Sequence, residues 1–122
     1  MNQENTRKLN ERFPFLTSSG NMNQDLMMFG FECGDGWFQL IWDLCEKIEK
    51  EGISPHFRAM QVKEKFGSLR FYVNIASDEV LNAIDEAEKK SETICELCGE
   101  PGRIRNGSWL KCRCEKCNEG IN

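Results

Sequence analysis

Four of the seven cysteines stand in two matched pairs, Cys95-Glu96-Leu97-Cys98 and Cys114-Glu115-Lys116-Cys117, with fifteen residues between them. Two C-E-x-C knuckles at this interval have the spacing of a zinc site. Zn²⁺ suits them because four soft thiolates close a tetrahedral shell and leave no position for water. The expected ion is therefore structural and does not activate a nucleophile. Gly99 and Asn118, one after each knuckle, tolerate the left-handed backbone that turns amides toward sulfur. The segment 99–113 is expected to form the hairpin of a zinc ribbon, turning at Asn106-Gly107. Four thiolates around one divalent ion leave about two negative charges, which Arg103, Arg105, Lys111, Arg113 and Lys116 can offset.

Cys112 lies two residues before Cys114 and competes for a ligand position, but the C-x-x-C spacing favours Cys114 with Cys117. Cys112, Cys33 and Cys45 are read as free thiols packed as small hydrophobes. His56, the only histidine, follows Pro55 and has no partner by spacing, so it reads as a loop or edge residue. No Ser/His/Asp order, G-x-S-x-G, phosphate loop or second histidine for a catalytic zinc is present. The chain is expected to be non-catalytic.

The second group with chemical potential lies in HFRAMQVKEKFGSLRFYVNI, two β-rich runs parted by Gly67-Ser68, the Gly-x pattern of a two-residue hairpin turn. That turn sets Phe66 opposite Leu69, Lys65 opposite Arg70, Glu64 opposite Phe71, Lys63 opposite Tyr72 and Val62 opposite Val73. Alternation puts Met60, Val62, Phe66, Leu69, Phe71 and Val73 on one face, interrupted by Glu64, and Gln61, Lys63, Lys65, Arg70, Tyr72 and Asn74 on the other. A like-charge cross-strand pair is destabilising unless a carboxylate, an anionic ligand or another chain covers it. Lys63, Lys65, Arg70 and Tyr72 are therefore the candidate residues for a small anionic ligand, the bland alternative being a solvated sheet face. Asp35 and Trp37 join them as candidates, because a helix start at Gly36-Trp37 offers amides to an anion, although Asp35 also reads as a simple N-cap.

The elements that must position these groups follow from periodicity. A polar helix is expected over 3–12, stopped before Pro14. Residues 13–36 read as loop with one short strand. Trp37, Ile41, Leu44 and Ile48, widened by Phe38 and Cys45, mark a helix over 36–51, ended by Gly52. A second helix is expected over 77–93, with Val80, Ile84, Ala87 and Ile94 on one side. The fold class is α+β, helices packed on a small antiparallel sheet, with an α+β domain over 1–93 and a zinc ribbon over 94–122 packed against it.

The chain has 122 residues, 39% of them hydrophobic and 30% charged, which fits a small folded protein with a modest core. The longest nearly apolar stretches, such as residues 37–42, are too short to span a bilayer, and MNQENTRKLNER lacks an apolar signal core. A cytoplasmic location is expected, where seven cysteines do not make a disulfide framework. The net charge of −4 argues against nucleic acid as the main partner and against an acidic membrane surface. Any anion binding must be local.

FGFECGDGW at 29–37, QVKEKFGSLRFYV at 61–73 and CELCGEPGRIR with Trp109 and the following cysteines resemble a family of small phage, prophage and bacterial proteins with no secure activity. The resemblance covers nearly the whole chain, and VKEKFGSLRFY is its most specific part. In that family the last zinc-ligand position is often His, where this chain has Cys117. The resemblance implies a phage-like origin and host cytoplasm. Small phage proteins often bind a host component or sequester a host defence signal. The leading expectation is a non-catalytic protein that binds a nucleotide-like ligand. The alternative is an adaptor that docks on a host protein through the ribbon and the aromatic segments around Trp37 or Trp109. Oligomeric state is left open, a homo-oligomer included.

Overall fold

In the computed structural model, which describes residues 1–107 and 109–119, helix α1 spans Gln3–Arg12 and is started by Asn2, whose side chain accepts the Asn5 amide. That bond satisfies one of the donors that a first turn leaves without an intrahelical partner. Helix α2 spans Phe38–Glu51 and buries Leu40, Ile41, Leu44, Cys45 and Ile48. The turn before it, Asp35–Trp37, is 3₁₀. The expected Asp35 cap is not made, since no side chain caps α2. The Asp35 carboxylate instead accepts the Asn2 amide at 2.7 Å and Asn5 Nδ2 at 3.0 Å, tying the starts of the two helices together. Helix α3 spans Asp78–Ser91, with Ser77 capping the Val80 amide.

Strands β1 (Phe31–Glu32), β2 (Ala59–Lys65) and β3 (Ser68–Val73) form one sheet in that order. The β2–β3 pair is the expected antiparallel hairpin, and β1 adds a short parallel edge, Phe31 lying opposite Val62. The hairpin register differs from the expected one. Lys65 pairs with Ser68, Glu64 with Leu69, Lys63 with Arg70, Val62 with Phe71 and Gln61 with Tyr72. The turn is Phe66-Gly67, and Phe66 leaves the apolar face for the tip. Because the slide moves each partner by two positions, residues 61–65 and 68–72 keep their expected faces, whereas a bulge between Ala59 and Gln61 sets buried Ala59, in place of Met60, on the apolar side opposite Val73. Hydrophobic alternation therefore could not choose between the registers.

Val62, Leu69 and Phe71 pack into one core with Leu9, Phe13, Trp37 and the buried stripes of α2 and α3. The outer edge of β3 is covered by α3: the Leu69 amide donates to Ser91 Oγ and the Phe71 amide to Glu88 Oε2, each at 2.9 Å. Side chains of a helix thus occupy donors that an open strand edge would present to another chain. The C-terminal module contains β4 (Arg103–Arg105), β5 (Lys111–Arg113) and the short α4 (Glu115–Glu119). In its two-stranded sheet Ile104 stands opposite Cys112. Among the described residues no helix is long and apolar enough to cross a membrane.

The long connection before β1 is organised by Asp25, a buried carboxylate. It accepts the Ser19 and Met27 amides, each at 3.0 Å, and Arg58 Nη1 at 3.3 Å. Burial alone would raise the Asp25 pKa. The bonds from Ser19 and Met27 and the Arg58 charge outweigh burial and hold it below the ordinary 3.8. A carboxylate depressed in the folded state contributes stability that is present above the unfolded value and lost as pH falls through the folded one. Asp25→Asn is therefore expected to cost about 1–3 kcal/mol at neutral pH, measured by urea unfolding. The gap from wild type should close as pH drops below 3.8. A gap that stays constant down to acid unfolding contradicts this role.

Candidate metal centre

The sulfurs of Cys95, Cys98, Cys114 and Cys117 all lie within 4.8 Å of one another, a cluster compatible with a metal ion. The two knuckles are built alike. In each, the residue after the second cysteine donates its amide to the carbonyl of the first: Gly99 to Cys95 and Asn118 to Cys114, both at 2.9 Å. The Cys98 and Cys114 sulfurs are 3.6 Å apart, and the Cys117 amide points at Cys114 Sγ at 3.4 Å.

Burial alone would raise the Cys95 thiol. Backbone amides of Cys114, Cys98 and Leu97 aimed at its sulfur overcome burial and bring it down to about 6. Cys117 is pushed up to about 12, first by its hydrogen bond with Cys114 and then by that with Cys98. One thiolate is thus favoured while Cys98 and Cys117 are held as thiols, as expected where several like charges crowd one site. A cation among the sulfurs removes that conflict. With four sulfur donors the shell closes, which suits a structural ion.

Cys112 stays outside the cluster. It is buried and directs its sulfur to the Ile94 carbonyl at 3.1 Å. Cys33 and Cys45 are buried thiols as well; burial pushes Cys33 up to about 12 and Cys45 well above its ordinary value. His56 is exposed in the turn before β2.

What the sequence reading missed is how the first knuckle is seated. The Gly36 amide donates to the Glu96 carbonyl at 2.7 Å, and the Gly34 amide to Glu96 Oε2 at 2.8 Å. A Cβ on Gly36 would stand 2.1 Å from the Cys95 carbonyl oxygen, and one on Gly34 2.4 Å from that of Glu96. Glu96 Oε1 pairs with Arg113 Nη1 at 3.0 Å, both side chains being nearly buried. Trp37, expected as a ligand or docking residue, is instead fully buried and donates Nε1–H to the Ile94 carbonyl at 2.9 Å. That burial corrects both roles. The signal available in the sequence was the pair of glycines one residue apart in C-G-D-G-W, the mark of a close backbone approach.

The second group of candidates lies on the hairpin face turned away from the core, where Lys63 and Arg70 are half-buried and Lys65 and Tyr72 exposed. Lys63 stands directly opposite Arg70, and Tyr72 opposite Gln61. Among the described residues no carboxylate comes within ion-pair distance of Lys63, Lys65 or Arg70. Glu32 lies beside Lys63 in the ladder but accepts from Gln61 Nε2. Arg70 folds back onto Ser68 Oγ and the Leu69 carbonyl. Asp35, committed to α1 and the residues before it, does not join this group. The cations expected around the cluster are partly committed too, Arg113 to Glu96 and Lys111 to Glu64.

No family model, no curated protein and no solved structure matches the chain.

The seat of the knuckle generates a direct expectation. Gly36→Ala forces a methyl group against backbone and should cost roughly 3 kcal/mol or more, read as a lowered urea midpoint with the metal-replete protein. An unchanged midpoint means that the knuckle is not seated on Gly36.

Proposed function

We propose that this protein is a non-catalytic binding protein in which a structural Zn²⁺ held by Cys95, Cys98, Cys114 and Cys117 braces an α+β body, and the Lys63, Lys65, Arg70 and Tyr72 face holds a small anionic, nucleotide-like ligand. The observation that carries the ligand half is the Lys63–Arg70 cross-strand pair on the sheet face turned away from the core. Two like charges facing each other raise the free energy of the hairpin. An anion laid across them removes that cost and gains charge-assisted hydrogen bonds. Tyr72, 43% exposed, adds a ring and a hydroxyl beside them. Zinc is favoured for the cluster by four soft sulfur donors in a compact set. The phage-like motifs favour a host defence signal as the ligand and the host cytoplasm as its location.

A second reading, an adaptor that docks on a host protein, is favoured by Trp109, 78% exposed between β4 and β5, with Leu110 exposed beside it. Trp37 no longer contributes to that reading.

Metal analysis of purified protein is expected to give a single zinc ion per chain, kept in Cys112→Ser and lost in Cys98→Ser. Calorimetry with a nucleotide panel is expected to find a ligand whose affinity falls about tenfold or more in Lys63→Ala and in Arg70→Ala, as for loss of a charged hydrogen bond. Absence of binding by every member, or binding indifferent to both substitutions, overturns the ligand reading. A stoichiometric host protein lost on Trp109→Ala supports the adaptor.

A further inference from the structure

The β2–β3 turn is built in a way that the fold alone does not require. Lys65–Ser68 is the last pair of the ladder, so Phe66 and Gly67 make the turn by themselves, with φ of +54° and +85°. Positive φ at both central residues is the I′ type, whose twist matches the strands and whose first position ordinarily takes Asn, Asp or Gly. A bulky residue there is a steric outlier. Phe66 is the only non-glycine residue with positive φ among those described.

Burial does not offset that cost, because Phe66 is 64% exposed. The rest of the turn is firmly held. Glu64 Oε2 accepts the Gly67 amide at 2.7 Å, and a Cβ on Gly67 would meet Ile104 at 3.1 Å. A flat aromatic ring is thus presented to solvent from a tip whose Gly67 is hydrogen-bonded and packed, at a backbone cost that Asn would avoid. Strain of this kind is retained where function uses it. The Lys65 ammonium lies 5.6 Å from the ring centroid, and Lys65 belongs to the same strand face as Lys63, Arg70 and Tyr72.

We propose that Phe66 is a stacking platform for an unpaired nucleobase whose phosphate lies on the Lys63, Lys65 and Arg70 face. This inference rests on the ligand reading above and adds to it a residue and a ligand chemistry, an unpaired base joined to a phosphate. Aromatic rings accept any base because every base has a π-face, while neighbouring cations take the phosphate. The same chemistry is offered by a free nucleotide and by a short single strand. On a chain of net charge −4 a strand gains little from distant charges, and its binding should weaken steeply with salt.

The test uses three probes followed by NMR titration of the zinc-loaded full chain: ribose 5-phosphate, AMP and a single-stranded adenine octamer. Base-bearing probes are expected to bind about tenfold tighter than ribose 5-phosphate. Phe66→Asn should abolish that preference, leave ribose 5-phosphate binding unchanged, and unfold at the same or a higher temperature. Phe66→Trp should keep the preference. AMP matching the octamer assigns a free nucleotide as the source, and a clear octamer advantage that salt removes assigns a single strand. The platform is overturned if Phe66→Asn retains the base preference, or if wild type has none. In that case ribose 5-phosphate binding lost in Arg70→Ala leaves the anion face standing. Absence of binding by all three probes overturns both.

Discussion

The structure depends first on a backbone-to-backbone contact between residues sixty positions apart in sequence. Gly34 and Gly36 lie so close to Cys95 and Glu96 that no side chain fits between them. In that narrow seam Glu96 satisfies both of its carboxylate oxygens, one with Arg113 and the other with the Gly34 amide. A charge removed from water is tolerated only when its lone pairs are taken up in this way. Trp37 and Cys112 then converge on one carbonyl, that of Ile94. The metal module is thus seated on the body through its first knuckle, and the core tryptophan is fixed by the strap that leads into it. The four-cysteine cluster and the α+β core share these contacts, so the free energy of binding a metal there is also free energy of folding the seam.

The same packing sorts the cations. Lys111 pairs with Glu64 and so joins the module to the body, while Arg113 pairs with Glu96 within the module. Lys63, Lys65 and Arg70 lie together on the sheet face turned away from the core, none of them within ion-pair distance of a carboxylate among the described residues. A chain acidic as a whole therefore carries a local cationic surface. Glu64, which interrupts the apolar side of the hairpin, is explained by two long-range demands, the Gly67 amide of the turn and the Lys111 ammonium of the module.

Helices were legible in the sequence because their apolar stripes recur every three or four residues over 14 positions in α2 and in α3. The cysteine knuckles were legible because ligand spacing is a local property. The hairpin was legible as two faces but not as a register, since a slide of two positions leaves the faces unchanged and Phe66 was free to leave the core. Strand β1, two residues long, has no period to detect. Asp35 and Trp37 were misread for a different reason. Local rules for helix starts assigned them to α2 and to a ligand, whereas Asn2, Asn5 and the distant Ile94 carbonyl claim their polar atoms. Partners that far along the chain leave no trace in local spacing.

On the proposed reading, recognition has to work without enclosure, because Lys63, Lys65, Arg70 and Tyr72 stand on a strand face and not in a pocket. Such a face gives up the gain that charges make in a dry pocket, so its affinity must come from how well the contacting groups are held before the ligand arrives. The two-residue turn supplies that order locally, and the metal module supplies it from behind. Ile104 sits against Gly67, and Lys111 anchors Glu64, which in turn holds the Gly67 amide. Ile104 and Lys111 thus link the strands of the C-terminal module to the tip of the hairpin. On the proposed reading the metal contributes to binding through this chain of contacts while remaining chemically inert, which is how a closed four-sulfur site can matter to a function in which it takes no direct part.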